Sequence, residues 1–486
     1  MARTLSSQAA ILTIGQLVAF LALFLVPIVN VRALTKDEFG FYRQFWLLFD
    51  TVSVFLILAI PQSLLYYFPR AENRREKAVY LTQTIIFLIA GGLLSWVVYA
   101  ILPGMLGPGR GDAIRQYYWA FCLFTLFMMV SRVMEKLFVA EQQPEKQGIF
   151  VAAAYGLQAL TVILTVWLTQ RLDLVLWALV AFAFLRMAVT LLYCVPTYRL
   201  SLSDCSIRTF KEQLSYAIPL GFATIVLLVF AQTDKYVIIY FLGREAFAVY
   251  SIGAYQLPVV DIVRISIMNV VFPVMAKHQK KGETGEILAL WRRATLKTAI
   301  VFFPIFVFLE VSARPFITIL FTEDYVDAAP IFMIYLLIFL RSTLDTTTVL
   351  MVFKETAFMF KVNLISVLCH IVFCVSMYKA FGWLGVPTAT VVANVVQNTV
   401  NMVKSARLLE TPVYKLMPWG QLALRFLVAA TLGTGLYFGY LVYPIDTFIK
   451  LAAAGICFIG VYAVLCLVFR LISFQEIRSI FGKTAV

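Results

Sequence analysis

The sequence predicts an all-α polytopic membrane protein of about fourteen transmembrane helices, and three observations carry that prediction. The 486-residue chain is 62% hydrophobic and 14% charged, with a mean hydropathy of +0.88; a soluble domain has roughly 45–50% apolar and 25% charged residues. Apolar runs of roughly 20 residues recur from end to end, each long enough to cross a hydrocarbon core of about 30 Å as a helix. Basic residues are dense in alternate connections, the bias expected of cytoplasmic loops. A closed barrel is the other way to satisfy a backbone in lipid, but barrel strands alternate apolar and polar residues and these runs do not.

The elements follow in order. The first run, 8–31, is apolar from Ala9 to Val29. That exceeds a signal-peptide core of about 7–15 residues and lacks a clear small-residue cleavage site, so a retained helix is expected. Helix 2 (43–66) carries Asp50, and helix 3 (78–102) follows the basic stretch Arg70–Lys77. Helix 4 (117–138) has Arg132 and Lys136 at its cytoplasmic edge, helix 5 spans 149–169, and helix 6 (173–195) contains Arg186. Helix 7 (214–241) holds Asp234-Lys235, and helix 8 (247–273) holds Asp261 and Arg264. Helix 9 (294–312) ends near Glu310, read as a solvated terminus, and helix 10 (328–350) holds Arg341 and Asp345. Helices 11 (359–380) and 12 (384–404) include one histidine, His370, read as a core residue; helices 13 (419–441) and 14 (446–470) complete the set, with Arg425 in the first of them. The longest connections, 196–213, 274–293 and 313–327, leave no room for a soluble domain.

An even helix count puts both termini on one side. With the N-terminus cytoplasmic, 25 of the 40 Lys and Arg fall in inner segments, 10 in outer ones and five inside helices. The net charge of +14 therefore reads as cytoplasmic loops facing anionic lipid rather than as a nucleic-acid surface. Six of the seven cysteines lie in apolar runs, and the histidines are His278 and His370. Neither a disulfide framework nor a metal site is predicted.

A repeat divides the chain. Leu34-Thr-Lys-Asp-Glu-Phe-Gly-Phe-Tyr42 follows helix 1, and Leu242-Gly-Arg-Glu-Ala-Phe-Ala-Val-Tyr250 follows helix 7. Leu, Phe and Tyr coincide, Lys36 meets Arg244, and Asp37 meets Glu245. Repeated halves with a site between them are the common construction of secondary transporters. The expected organisation is an N-terminal lobe (1–200), a C-terminal lobe (201–410), and two further helices with a tail (411–486).

A charge near the bilayer centre costs roughly 2.5–3.5 kcal/mol on insertion scales, so such residues face a cavity or a partner. Lys235, Arg264, Arg341, Arg43 and Arg186 are the candidates for binding an anionic substrate. Asp50, Asp234, Asp261 and Asp345 are the candidates for ion coupling or ion pairing. Asp261 and Arg264 stand three apart and Arg341 and Asp345 four apart, so each pair is predicted to share a helix face. Asp234 and Lys235 are adjacent and must diverge around the helix. Arg suits phosphate because its planar fork donates two bonds at once. Arg186 and Arg425 lie toward the cytoplasmic ends of their helices, within reach of the interface. No phosphate loop, GxSxG, HExxH or Cys/His cluster is present. Asp37-Glu38 alone could serve a membrane glycosyltransferase, and its repeat twin favours a helix-connecting turn instead.

Several segments resemble the polysaccharide-transporter branch of the multidrug/oligosaccharidyl-lipid/polysaccharide exporter superfamily, the Wzx-type O-antigen and exopolysaccharide flippases. They are Arg32 to Tyr42, Lys211-Glu-Gln-Leu-Ser-Tyr-Ala-Ile-Pro-Leu-Gly221, Thr233-Asp-Lys-Tyr-Val-Ile-Ile-Tyr-Phe-Leu-Gly243 running into Ala248 to Leu257, and Arg314 to Tyr325. The resemblance implies two six-helix lobes in a V plus two C-terminal helices, working by alternating access. It implies a flippase rather than an enzyme, carrying undecaprenyl-pyrophosphate-linked oligosaccharide to the periplasmic leaflet of a bacterial inner membrane. Lys235 and Arg264 occupy positions like those expected to line a cationic cavity. No cofactor is implied; proton or sodium coupling would fall to Asp50, Asp261 or Asp345. Expected partners are the lipid-linked oligosaccharide, the bilayer, and polysaccharide polymerase and export proteins. A drug or small-solute antiporter of the same fold is the alternative, and a glycan polymerase or glycosyltransferase is a third. Residues 8–31 lack the acidic residue often found in helix 1 of drug exporters.

Overall fold

The computed structural model describes residues 5–105, 111–203, 205–255, 259–469 and 471, with side chains for all of these except 5–14, 105, 259–263, 265, 266 and 269. Among them there are helices and no strands. The chain divides into two compact units, Met1–Ala248 and Val249–Val486.

The first unit contains α1 (Leu5–Ala33), α2 (Lys36–Ile57), α3 (Ile60–Tyr67), α4 (Arg74–Met105), α5 (Asp112–Gln116), α6 (Tyr118–Ser131), α7 (Val133–Ala140), α8 (Pro144–Thr169), α9 (Leu172–Tyr198) and most of α10 (Ile207–Gly253). The second contains α11 (Val259–Lys280), α12 (Thr284–Val311), α13 (Ala313–Phe321), α14 (Ala328–Arg341), α15 (Thr347–Val352), α16 (Thr356–Phe381), α17 (Gly385–Leu408), α18 (Trp419–Val442) and α19 (Phe448–Val468). Nine described helical stretches are long and apolar enough to span a membrane, ten when the bent pair at 36–70 is taken as one. This is a multi-pass membrane protein. Two of those stretches, Ile207–Gly253 and Thr356–Leu408, run 47 and 53 residues, about 70–80 Å at 1.5 Å per residue, far more than one bilayer. Each is broken by a glycine with positive φ, Gly243 (82°) and Gly382 (64°), a conformation open to glycine without Cβ strain.

The structure differs from the predicted spans chiefly in its breaks. Predicted helix 2 starts earlier, at Lys36, because Thr35 and Glu38 form a capping box. It then bends by 49° at Leu58 and Ala59, both with positive φ. Pro61 explains the bend, since its ring has no N–H to donate and clashes with the carbonyl four residues back. Predicted helix 4 divides at Arg132 into α6 and α7. Predicted helix 10 divides at 342–346 into α14 and α15. The predicted loop 274–293 is almost wholly helical, because α11 runs on to Lys280 and α12 begins at Thr284.

Packing sets the faces that matter. In the first unit α1 lies on α8 with Gly15 against Gly148: a Cβ on Gly15 would stand 2.4 Å from the Gly148 carbonyl oxygen. Small residues let helix backbones approach in this way in lipid. Phe41, Phe45 and Phe49 form an i, i+4, i+8 stripe on α2, and each is at most 1% exposed. Phe45 meets Phe121 at 4.6 Å and Phe49 meets Phe124 at 4.8 Å, centroid to centroid. At 100° per residue, Arg43 and Asp50 lie about 200° and 180° round from Phe41, on the opposite face of α2. In the second unit α12 is the hub, with Phe303 packed on Phe426 of α18 and Phe308 on Phe458 of α19.

Candidate functional site

Two groups of intramembrane charge stand out, one in each unit. In the first unit they come from α2, the α6–α7 junction and α10. Asp50 Oδ1 is 3.5 Å from Arg132 Nη2, and the Arg132 guanidinium lies 5.0 Å from the centre of the Phe49 ring. Arg43 and Lys235 also act on Asp50 electrostatically. Lys235 Nζ donates to the Ala231 carbonyl at 2.8 Å and to Gln232 Oε1 at 2.7 Å, and it feels Asp234 beside it. The next residue, Tyr236, donates to Thr51 Oγ1 at 2.7 Å, joining α10 to α2. One cation therefore pairs with this carboxylate, and two more lie within electrostatic reach of it. Asp234 is 1% exposed while Lys235 is half-buried, the divergence expected of adjacent helical residues.

The second group sits at the break between α14 and α15. Arg264, Trp291, Thr298, Thr343, Asp345 and Thr348 are among the residues around a cavity of about 30 Å³, room for about two waters. The predicted Arg341–Asp345 ion pair is not made. The helix ends at Arg341, so four residues no longer return to the same face. The Asp345 carboxylate instead accepts from the Thr347 N–H at 3.1 Å and from the Thr348 hydroxyl. Its carbonyl accepts from Trp291 Nε1 at 2.9 Å, and Thr346 donates to Asn398 Oδ1 at 3.0 Å. The groups freed by the break are thus held by side chains. Arg341 remains within electrostatic reach of Asp345 and Arg264.

The Trp291 bond gives a direct test of that support. Trp291→Phe keeps the ring and deletes the donor, leaving a carbonyl unsatisfied. The expected loss is about 1–3 kcal/mol, read as a lowered thermal midpoint of purified protein in detergent.

The other candidates lie elsewhere. Arg186 is not free to reach the interface: it is 4% exposed, bound through Nη2 to Glu135 Oε1 at 2.5 Å, with the Phe150 and Tyr155 rings each 5.5 Å away. This places the guanidinium inside the helix bundle, paired with a partly exposed Glu135. Arg425 is likewise 6% exposed and holds the Leu471 carbonyl at 2.6 Å. Glu310 stands at the end of α12 and is half-buried, with its Oε2 out of solvent and without a hydrogen bond. His370 is fully buried and bonds Thr390 at 3.0 Å, as a core histidine should. The Asp261 side chain, and with it the predicted Asp261–Arg264 pair, lies outside the described residues. Sequence reasoning missed Arg132, Glu135 and Trp291. Arg132 was signalled by its place within an apolar run and was assigned to the cytoplasmic edge instead. Among the described residues no group of three or more His, Cys, Asp or Glu is placed to hold a metal.

Each unit thus brings cations into an apolar bundle, Arg43, Arg132 and Lys235 in the first and Arg264 and Arg341 in the second, and guanidinium and ammonium groups suit phosphoryl oxygens. Comparison with known proteins follows the same line. The sequence model described as polysaccharide biosynthesis protein matches residues 29–330, and that of the lipid II flippase MurJ matches residues 223–452. The teichuronic acid biosynthesis protein TuaB of Bacillus subtilis (strain 168) is 33% identical over 103 residues, a match covering 21% of each protein. A solved lipid II flippase MurJ, in an inward closed conformation, has a TM-score of 0.71 at 15% identity over 93% of this chain and 99% of that one. An inward-facing multidrug resistance MATE family transporter has a TM-score of 0.60 at 11% identity, over 82% and 94%. At these identities the likeness is one of fold, and the fold is that of a polytopic transporter.

Proposed function

The chain belongs to the polysaccharide biosynthesis protein family, and on that premise we propose that it is a flippase moving undecaprenyl-pyrophosphate-linked oligosaccharide from the cytoplasmic to the periplasmic leaflet for cell-surface polysaccharide. The observation that carries this reading is the pairing of a MurJ-like fold over 93% of the chain with intramembrane cations in both units. Lys235, Arg43 and Arg132 in one unit, and Arg264 and Arg341 in the other, hold the pyrophosphate and any acidic sugar. Buried cations need a counter-anion in lipid, and a pyrophosphate supplies one. Alternating access between two six-helix lobes, with 411–486 appended, carries the headgroup across while the lipid tail stays in the bilayer. The protein lies in the bacterial inner membrane with both termini cytoplasmic. Proton or sodium coupling falls to the aspartates, and polymerase and export proteins take over the product.

Deleting the gene tests this. Lipid-linked oligosaccharide should collect where an impermeant probe added from the periplasm does not reach it, surface glycan should fall, and the plasmid-borne gene should restore both. Accumulation on the periplasmic face would instead place the protein after the flipping step.

A further inference from the structure

The two repeat turns touch each other. Asp37 Oδ1 of the first is 2.9 Å from Arg244 Nε of the second, and the Arg244 guanidinium lies 5.9 Å from the centre of the Phe41 ring. Gly40 lies directly on the Arg244 backbone: a Cβ there would stand 2.2 Å from the Arg244 carbonyl oxygen. The repeat twin of Gly40 is Ala248, so glycine stands in the copy that receives the carbonyl.

This contact is one end of a seam. Below it Tyr236 bonds Thr51. A Cβ on Gly221 would come within 2.7 Å of the Leu58 carbonyl carbon. Lower still, the fully buried Gln213 bonds Ser63 and Thr84, each at 2.8 Å, and the Glu212 carbonyl accepts from Tyr67 at 2.8 Å. As the contacts advance from 40 to 67 along α2–α3 their partners fall back from 244 to 212 along α10, so the two run antiparallel and in contact. The charge cluster around Asp50 lies on this seam, between its two ends.

The ends are built differently. Both ends have a close backbone approach, Gly221 on Leu58 and Gly40 on Arg244; the 213 end adds buried neutral hydrogen bonds. The 244 end is closed by an ion pair whose partners are 37% and 43% exposed. Exposed pairs are weak, and moving elements are drawn from the weak end of a structure. We propose that Asp37, Arg244 and Gly40 form a latch that closes the outer end of the α2–α10 seam, and that transport requires it to open. Outer here follows the Lys and Arg count, and the proposal rests on the transport reading above.

Cysteines at positions 37 and 244, in a background without the seven native cysteines, test it. A short reducible bis-thiosulfonate linker should join them in membranes, stop export, and release it again on reduction. Arg244→Asp should raise labelling of Thr51→Cys by an impermeant maleimide about two- to fivefold, the scale of an exposed ion pair, and Asp37→Arg added to it should bring labelling back. Export that continues in the linked protein overturns the latch, as does a pair that never links or labelling unmoved by charge reversal. Those failures leave wild-type export intact, whereas failure of the transport reading abolishes the deletion phenotype itself.

Discussion

Arg264→Ala is expected to lower the initial rate of export about 10- to 100-fold, the range of a lost hydrogen bond to a charged group at about 1.5–3 kcal/mol. The amount of protein in the membrane should stay near that of wild type. Arg264 lines the cavity at the α14–α15 break, where hydroxyls of Thr298, Thr343 and Thr348 stand around it and the Asp345 carboxylate is already held by Thr347 and Thr348. Broken helices that line a cavity are where transporters place substrate groups. Arg264→Lys keeps the charge and loses the planar fork, so it should recover part of the rate and not all of it. The measurement is surface glycan formed per unit time, normalised to the amount of this protein in the membrane. An unchanged rate for Arg264→Ala would remove this cavity from the path. Equal loss of protein in both variants would make Arg264 structural.

Hydropathy exposed the architecture readily because lipid leaves the backbone few choices. Runs such as 8–31 and 149–169 lie on α1 and α8 because nothing else can satisfy their amides. The breaks were harder. Pro61 lies at the bend after α2, inside what reads as one continuous span, 43–66, and Arg341-Ser-Thr-Leu-Asp-Thr-Thr-Thr348 reads as a helix with an i, i+4 pair. Its hydroxyls and carboxylate compete for backbone groups, and the competition is settled by Trp291 and Asn398, 54 and 52 residues distant. The same limit applies to charge. Asp50 was visible as an intramembrane carboxylate, yet its partner Arg132 belongs to another helix and was counted with the cytoplasmic edge. The repeat, by contrast, was legible in nine residues, and it led to the one place where the two turns meet.

Glu135→Ala should destabilise the protein by about 3–5 kcal/mol, because it leaves the Arg186 guanidinium buried without its counter-charge. Arg186 is 4% exposed and its Nε and Nη1 already lack hydrogen-bond partners, so the Glu135 bond at 2.5 Å is its main support. Tyr155 donates to the same Oε1 at 3.1 Å and loses its acceptor too. The thermal midpoint in detergent should fall sharply and membrane levels with it. Glu135→Gln keeps an acceptor of the same shape and should fall between. Replacing both partners, Glu135→Leu with Arg186→Met, removes the buried charge altogether, and such exchanges are often neutral or stabilising. The double variant should therefore regain most of the lost stability, and its export rate decides the role of Arg186. Export restored along with stability identifies a structural pair in the α7–α9 packing. A stable protein that no longer exports would return Arg186 to the substrate path, since packing would then be intact and only the cation missing.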